Sequence, residues 1–148
     1  MSTNSSTPDG PSRRTGPEPF VARTLAASLT VKDLERSLAW YQDVLGFIID
    51  RKYEREGKLR AVALKAGDVL LLIGQDDGVK GLERVKGEGL SLTITTDQDV
   101  DALAHRIKQL GGVLESEPAD MPRGGRIFRL LDPDGFKFAI SSAIRPKS

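Results

Sequence analysis

Cysteine is absent from this chain of 148 residues, and histidine occurs only once, as His105. Without cysteine the protein cannot form disulfides, thiolate metal sites or a cysteine nucleophile, and its composition suits a reducing compartment. No stretch approaches the roughly 20 apolar residues that a transmembrane helix needs, and the N-terminus lacks the apolar core of a signal peptide. These absences predict a cytoplasmic protein with no membrane partner.

An excess of charge of either sign is also missing. Lys and Arg number 22 against 21 Asp and Glu, which gives a formal net charge of +1. This balance provides no long-range attraction for nucleic acid, so no nucleic-acid partner is expected. Residues 1–19 are rich in Ser, Thr, Pro and Gly and predict a flexible arm. The remainder, 20–148, has the length of a single domain.

The first ordered segment has the pattern of a strand followed by a helix. Apolar and small polar residues alternate through LAASLTV, residues 25–31, which is the period of a half-buried strand. Asp33 then occupies an N-cap position, apolar residues follow at helical spacing, and Gly46 ends the run. Three short aliphatic segments between turn residues come next and predict an antiparallel meander. The unit is therefore βαβββ.

The same order begins again near residue 88. Ser28-Leu29-Thr30 returns as Ser91-Leu92-Thr93, and Leu45-Gly46 returns as Leu110-Gly111 at nearly the same offset. This repetition predicts two βαβββ modules, at about 22–78 and 88–143, with a linker at about 79–87. Because one helix covers only one face of a four-stranded sheet, we expect an α+β fold in which a curled mixed sheet encloses a central cleft.

The repeated units, with VKDLERSLAWYQDVLGF in the first and DPDGF before the last strand, resemble the vicinal oxygen chelate superfamily. This superfamily contains glyoxalases, bleomycin resistance proteins and extradiol dioxygenases. The resemblance implies metal ligands on the first and last strands of each module. By the same motifs, these positions fall on Ala26, Leu72, Gly89 and Ala139, whose side chains cannot bind a metal. The resemblance therefore implies a metal-free member with no cofactor.

The DPDG sequence fits a turn that pairs Asp132 with Phe136 and so sets the register of the last hairpin. In that register Arg129 lies opposite Ala139, and Lys137 lies on the same face. Two cations beside a partly desolvated groove favour an anionic group on a ligand. The alternative is that both are rim residues whose stems cover apolar surface.

We expect the remaining cleft to be apolar on one side and to carry hydroxyls on its floor, which is typical of small-molecule sites. The loop at 118–126 is interpreted as its mouth, with flexible glycines. Trp40, Tyr41 and His105 are expected to be structural or exposed. The candidate ligand-binding residues are Ser28, Thr30, Tyr53, Arg60, Val62, Leu70, Leu72, Ser91, Thr93, Met121, Arg123, Arg129, Lys137 and Ala139.

Three functions remain as hypotheses. The first is a binding protein similar to the bleomycin-resistance group, which holds an amphipathic, partly anionic small molecule without reaction. The second is a metal-free isomerase or lyase that uses Lys137, Arg129 or Tyr53 for proton transfer or charge stabilisation. The third, a metal-dependent lyase or dioxygenase, needs ligands that this sequence lacks. Binding is favoured, and because relatives often dimerise, a homodimer is a further expectation.

Overall fold

The structure, a computed structural model, describes residues 18–143, so nearly all of the predicted arm lies outside the described residues. The first module contains β1 (Ala26–Val31), α1 (Leu34–Trp40), β2 (Ile48–Arg55), β3 (Lys58–Ala66) and β4 (Val69–Gln75). The second contains β5 (Ser91–Thr96), α2 (Val100–Gln109), β6 (Leu114–Asp120), β7 (Arg126–Leu131) and β8 (Lys137–Ser142). The predicted order of elements is confirmed.

Both helices begin at an aspartate cap. The Asp33 side chain accepts a hydrogen bond from the Arg36 amide at 3.2 Å, and Asp99 accepts one from the Ala102 amide at 3.1 Å. These bonds satisfy amides that have no partner within the helix. The first helix continues past α1 as a wider π-helical turn, Tyr41–Leu45, and ends at Gly46 with a φ of 86°. This left-handed conformation suits glycine.

Each module has its own four-stranded mixed sheet, in the order β1-β4-β3-β2 and β5-β8-β7-β6. β1 runs parallel to β4, and β5 runs parallel to β8, while the other neighbours are antiparallel. The α+β class and the two βαβββ modules are therefore confirmed.

The two modules share one hydrophobic core, built from the helix-covered faces of both sheets. The ring of Tyr41 lies 5.9 Å from that of Phe138, and both side chains are fully buried. A Cβ at Gly112 would lie 2.8 Å from Val44, so the segment that follows α2 packs closely against the first module. The other face of each sheet points away from this core. We call these two surfaces the open faces.

Polar contacts fasten the modules at one end of the core. The Tyr41 hydroxyl donates to Asp132 at 2.6 Å, and the Lys32 amide donates to Asp134 at 2.7 Å. The linker is held as well, because Lys86 forms a buried ion pair with Asp76 at 2.5 Å. Neither helix within residues 18–143 is long and apolar enough to span a bilayer.

Candidate functional site

The open face of the second sheet carries the two predicted cations. The Asp132 amide donates to the Phe136 carbonyl at 3.0 Å, and Gly135 has a φ of 94°, as the predicted turn requires. Arg129 therefore pairs with Ala139, and Leu131 pairs with Lys137. The predicted register is confirmed, and Arg129 and Lys137 lie on adjacent strands of one face. Both are exposed, whereas Ala139, which lies across from Arg129 and two residues from Lys137, is buried.

Hydroxyls line the neighbouring strand of this face. In the parallel register Ser91 pairs with Lys137, and Thr93 pairs with Ala139. Both hydroxyl residues are exposed. They can offer donors and acceptors to a molecule that lies on this face.

A groove of about 520 Å³ continues the same surface and is lined by Met121, Arg123, Ile127 and Arg129, among others. Three of the predicted binding residues, Met121, Arg123 and Arg129, are thus brought together. Arg129 and Lys137 form no ion pair within residues 18–143. Their charges remain available to an anion.

Arg126, by contrast, is committed to the protein. Its guanidinium donates to both carboxylate oxygens of Asp101 and to Asp120, each at 2.9 Å. The hydrogen bond with Asp101 is the main cause that raises the pKa of Arg126 above its usual range. This bidentate contact ties β7 to α2 and fixes the edge of the groove.

The mouth of the groove differs from the flexible loop predicted at 118–126. β6 continues to Asp120, so the connection is a short turn. The Met121 amide donates to the Gly125 carbonyl at 2.8 Å. Gly124 and Gly125 have φ values of 99° and 89°, and a Cβ at Gly125 would lie 2.8 Å from the Ser142 hydroxyl oxygen. The glycines therefore permit a tight turn in place of a long loop, and the flexibility of this turn stays a prediction.

The open face of the first sheet is mostly apolar. Ser28 pairs with Leu72, Ala26 pairs with Leu70, and both leucines are half-buried. Thr30 follows on the same face and is exposed. The structure thus confirms the predicted shared face of Ser28, Thr30, Leu70 and Leu72.

Tyr53 lies at the far side of this first open face, because it pairs with Ala61 on β3. Its side chain is 44% exposed, and the Arg51 guanidinium lies 5.8 Å from its ring centroid. A half-exposed ring beside small residues gives a surface on which a flat group can stack.

Val62 was expected on this surface, and that placement is wrong. Val62 pairs with Ile73 and is fully buried in the core. Leu64, which has the same strand parity, is also fully buried, and Arg60 lies on the same side of β3 as Val62. Successive side chains of a strand point to opposite faces, so these three residues lie on the helix-covered side or its margin.

The residues that take their place are Ala61, Ala63 and Lys65, which the sequence analysis missed. Ala63 pairs with Leu72, and Lys65 pairs with Leu70. The available signal was the alternation of small and large side chains in AVAL, because the larger ones fill the core. Ile127 and Arg51 were missed as well.

The positions implied as metal ligands supply no donor atoms. Ala26 and Leu72 lie on the first open face, Ala139 lies on the second, and Gly89 lies in the turn before β5. Within residues 18–143 no group of three or more His, Asp or Glu side chains could hold a metal. His105 is exposed on α2. The residues at this site therefore do not fit a chelated divalent cation.

Comparison with known proteins identifies relatives across most of the chain. The chain is 32% identical over 124 residues to a probable lactoylglutathione lyase of Vibrio cholerae, covering 80% of this chain and 88% of that protein. It is 52% identical to the anthracycline biosynthesis protein DnrV of Streptomyces peucetius over 42 residues, which are 28% of this chain and 15% of that protein.

A solved domain has a similar fold. The crystal structure of a glyoxylase/bleomycin resistance protein/dioxygenase domain from Frankia sp. EAN1pec superposes with a TM-score of 0.72 at 19% identity, covering 86% of this chain and 96% of that one. The sequence model of the Glyoxalase/Bleomycin resistance protein/Dioxygenase superfamily matches residues 22–140. The chain belongs to this superfamily.

Proposed function

We propose that the protein binds an amphipathic, partly anionic small molecule without a metal ion. One observation carries this proposal. Arg129 and Lys137 flank Ala139 on one open face, at a position where metal-dependent relatives would need a chelating side chain. A pair of cations there attracts a carboxylate or phosphate directly and leaves no role for a bridging metal.

The apolar part of the ligand has a surface beside these cations. Leu131 is 39% exposed, and Met121 and Ile127 are half-buried in the adjoining groove. Covering such side chains contributes about 25 cal/mol per Å² of apolar area. An aromatic or aliphatic body therefore lies on the groove while its anionic group contacts Arg129 and Lys137.

A second copy of the chain completes this site in the proposed functional form. Within one chain the open faces point away from the shared core, and most of their side chains are partly or fully exposed. The first open face carries Leu70, Leu72 and Tyr53, and it supplies the apolar cover that the second one lacks. The faces also carry Arg51 and Lys65 on one side and Arg129 and Lys137 on the other, so an anion between them relieves repulsion.

The binding proposal is tested by titrating anionic aromatic compounds and natural products into the protein, with and without a chelator. Arg129→Ala or Lys137→Ala is expected to weaken binding of a compound found in this way about tenfold, because each removes a charge-assisted hydrogen bond. Lys80→Ala, at an exposed linker lysine, is the matched control. Loss of binding in chelator, or stoichiometric metal in the purified protein, would contradict the proposal.

The dimer is tested separately by analytical ultracentrifugation. Ile48 is 56% exposed on the first open face, so Ile48→Lys is expected to shift the protein toward monomer. Val79, 82% exposed in the linker, provides the control Val79→Lys. A monomeric wild-type protein at all concentrations, with ligand bound, would show that one chain suffices.

The similarity to the probable lactoylglutathione lyase of Vibrio cholerae favours one second candidate, a metal-free lyase or isomerase. Lys137 would then exchange a proton with the ligand, and Arg129 would stabilise the resulting oxyanion. Mass spectrometry of a bound compound after incubation separates the two functions. Recovery of unchanged compound supports binding, and turnover that persists in chelator and disappears in Lys137→Ala supports catalysis.

A further inference from the structure

A second cavity lies between the two modules, on the core side of the sheets and away from both open faces. Its volume is about 450 Å³, within the range of small-molecule sites. We call it the seam pocket, and its principal lining residues are Phe47, Val69, Ile94, Leu103, Arg106 and Ile140. The first module supplies two of these residues and the second supplies four.

The floor of the seam pocket is apolar. Phe47 and Ile140 are 5% and 7% exposed, and Val69, Ile94 and Leu103 are half-buried against the core. Apolar side chains that face a water-accessible cavity lose part of the stabilisation that full burial would give. An apolar molecule that fills the pocket shields these side chains from water and so restores this stabilisation.

One cation lies at the wall of this pocket. The Arg106 guanidinium passes close to Gly46, where a Cβ would lie only 3.3 Å from its Nη2 atom. The absence of a side chain at Gly46 therefore leaves room for the guanidinium beside the cavity. Arg106 has no ion-pair partner within residues 18–143. A planar, unpaired guanidinium next to an apolar floor suits a carboxylate on an apolar body.

The rim limits the charge of the ligand. Asp68 and Asp97 also line the pocket, and both are exposed. Their charges disfavour a second anionic group on the ligand. We propose that the seam pocket binds a small apolar monocarboxylate, with its carboxylate on Arg106 and its apolar part on Phe47, Ile94 and Ile140. This site is independent of the function proposed for the open faces.

The test is a titration of the full-length protein with naphthalene-2-carboxylate, followed by two-dimensional amide NMR. The largest shifts are expected around Gly46, Gly67 and Gln98, which line the seam pocket. Arg106→Gln is expected to weaken this binding about tenfold or more, because a charge-assisted bidentate contact is lost. Arg106→Lys should retain part of the affinity, and the neutral naphthalene-2-carboxamide should bind as weakly to the wild type as the acid binds to Arg106→Gln.

Arg36→Gln is the matched control, since Arg36 is an exposed helical arginine that does not line the seam pocket. It should leave the seam shifts and their midpoint unchanged. Shifts confined to the open faces, seam shifts that Arg106→Gln does not weaken, or no shifts at millimolar probe would each overturn the proposal. The first of these outcomes would leave the open-face function standing, so the two proposals are judged separately.

Discussion

Ser37, on α1, is the one side chain within residues 18–143 with a buried polar atom that lacks a hydrogen-bond partner. The residue is fully buried, so its hydroxyl is desolvated without compensation. We expect Ser37→Ala to leave the free energy of unfolding unchanged or to raise it by up to about 1 kcal/mol. Urea denaturation measures this difference.

The control for that substitution is Ser142→Ala. The Ser142 hydroxyl accepts a hydrogen bond from the Arg126 amide at 2.9 Å, so this hydroxyl has a role that Ser37 lacks. Its loss should lower the free energy of unfolding by about 1 kcal/mol. A larger loss for Ser37→Ala than for Ser142→Ala would show that the Ser37 hydroxyl has a partner.

Tyr41 shows the opposite case, a buried polar group with a specific partner. Burial is the main cause that raises the pKa of the Tyr41 hydroxyl far above its usual range, so it stays a donor to Asp132. Tyr41→Phe keeps the ring contacts but leaves Oδ2 of the buried Asp132 carboxylate without the hydrogen bond from Tyr41. We expect a loss of about 1.5 to 3 kcal/mol in unfolding free energy. Thermal and urea unfolding measure it.

Tyr53→Phe provides the comparison, because Tyr53 is 44% exposed and its hydroxyl can bond to water. It should change stability by less than about 0.5 kcal/mol. In Tyr41→Phe the pKa of Asp132, already raised chiefly by burial, should rise further, since the hydrogen bond from Tyr41 lowers it. Equal stability of the two variants would contradict the assigned contact.

At the scale of elements, the turn between β6 and β7 offers a matched pair of glycines. Both have positive φ, but a Cβ at Gly124 meets nothing within 4 Å, while one at Gly125 meets the Ser142 hydroxyl at 2.8 Å. Gly124→Ala should cost about 1 kcal/mol from backbone strain alone. Gly125→Ala should cost more, about 2 to 3 kcal/mol, because a steric clash is added.

Urea denaturation of both variants measures the difference. Comparable losses would mean that the turn moves freely enough to absorb the added methyl group. In that case the turn would behave as the flexible mouth that the sequence first suggested, and not as a fixed edge of the groove.

The elements themselves could be predicted because each has a local signal. Asp33 marks the start of the first helix, Gly46 marks its end, and the DPDG turn fixes the register of Arg129 with Ala139. The face of β3 could not be obtained in the same way. Residues on both faces of AVAL are apolar, so only the alternation of small and large side chains signals the core face, and the pairing of Val62 with the buried Ile73 decides it.

At the scale of the whole molecule, the linker is held by Asp76. The hydrogen bond from Lys86 is the main cause that lowers the pKa of Asp76 from 3.8 to about 2. A depressed carboxyl pKa stabilises the folded state above pH 3.8, and this contribution is lost as the pH falls through about 2. We expect Asp76→Asn to be less stable than wild type at neutral pH.

The difference between Asp76→Asn and wild type should be constant above about pH 5 and should shrink toward pH 2, as measured by unfolding free energy at each pH. Asp77→Asn is the control, since Asp77 is exposed and forms no ion pair with described residues. A difference that does not vary with pH would show that the carboxylate charge is not the source of the stability.

The packing of the two modules against each other could not be predicted from the sequence. Each helix has an apolar stripe, and each sheet has an apolar face that a helix covers, which is compatible with several ways of joining the two units. Side-chain fit decides it: Tyr41 against Phe138, Val44 against Gly112, and the Tyr41 hydroxyl on Asp132. These contacts join residues far apart in the chain, and no local pattern reports them.

Because the two modules share one core, the two faces of each strand have different roles. One set of alternating side chains forms the hydrophobic core, and most of the other set is partly or fully exposed to solvent. Substitutions at exposed residues of the open faces, such as Arg129, Lys137 or Tyr53, are therefore expected to have little effect on folding. A scaffold of this kind can acquire a new specificity by small steps, because the residues on its open faces are not the residues that form its hydrophobic core.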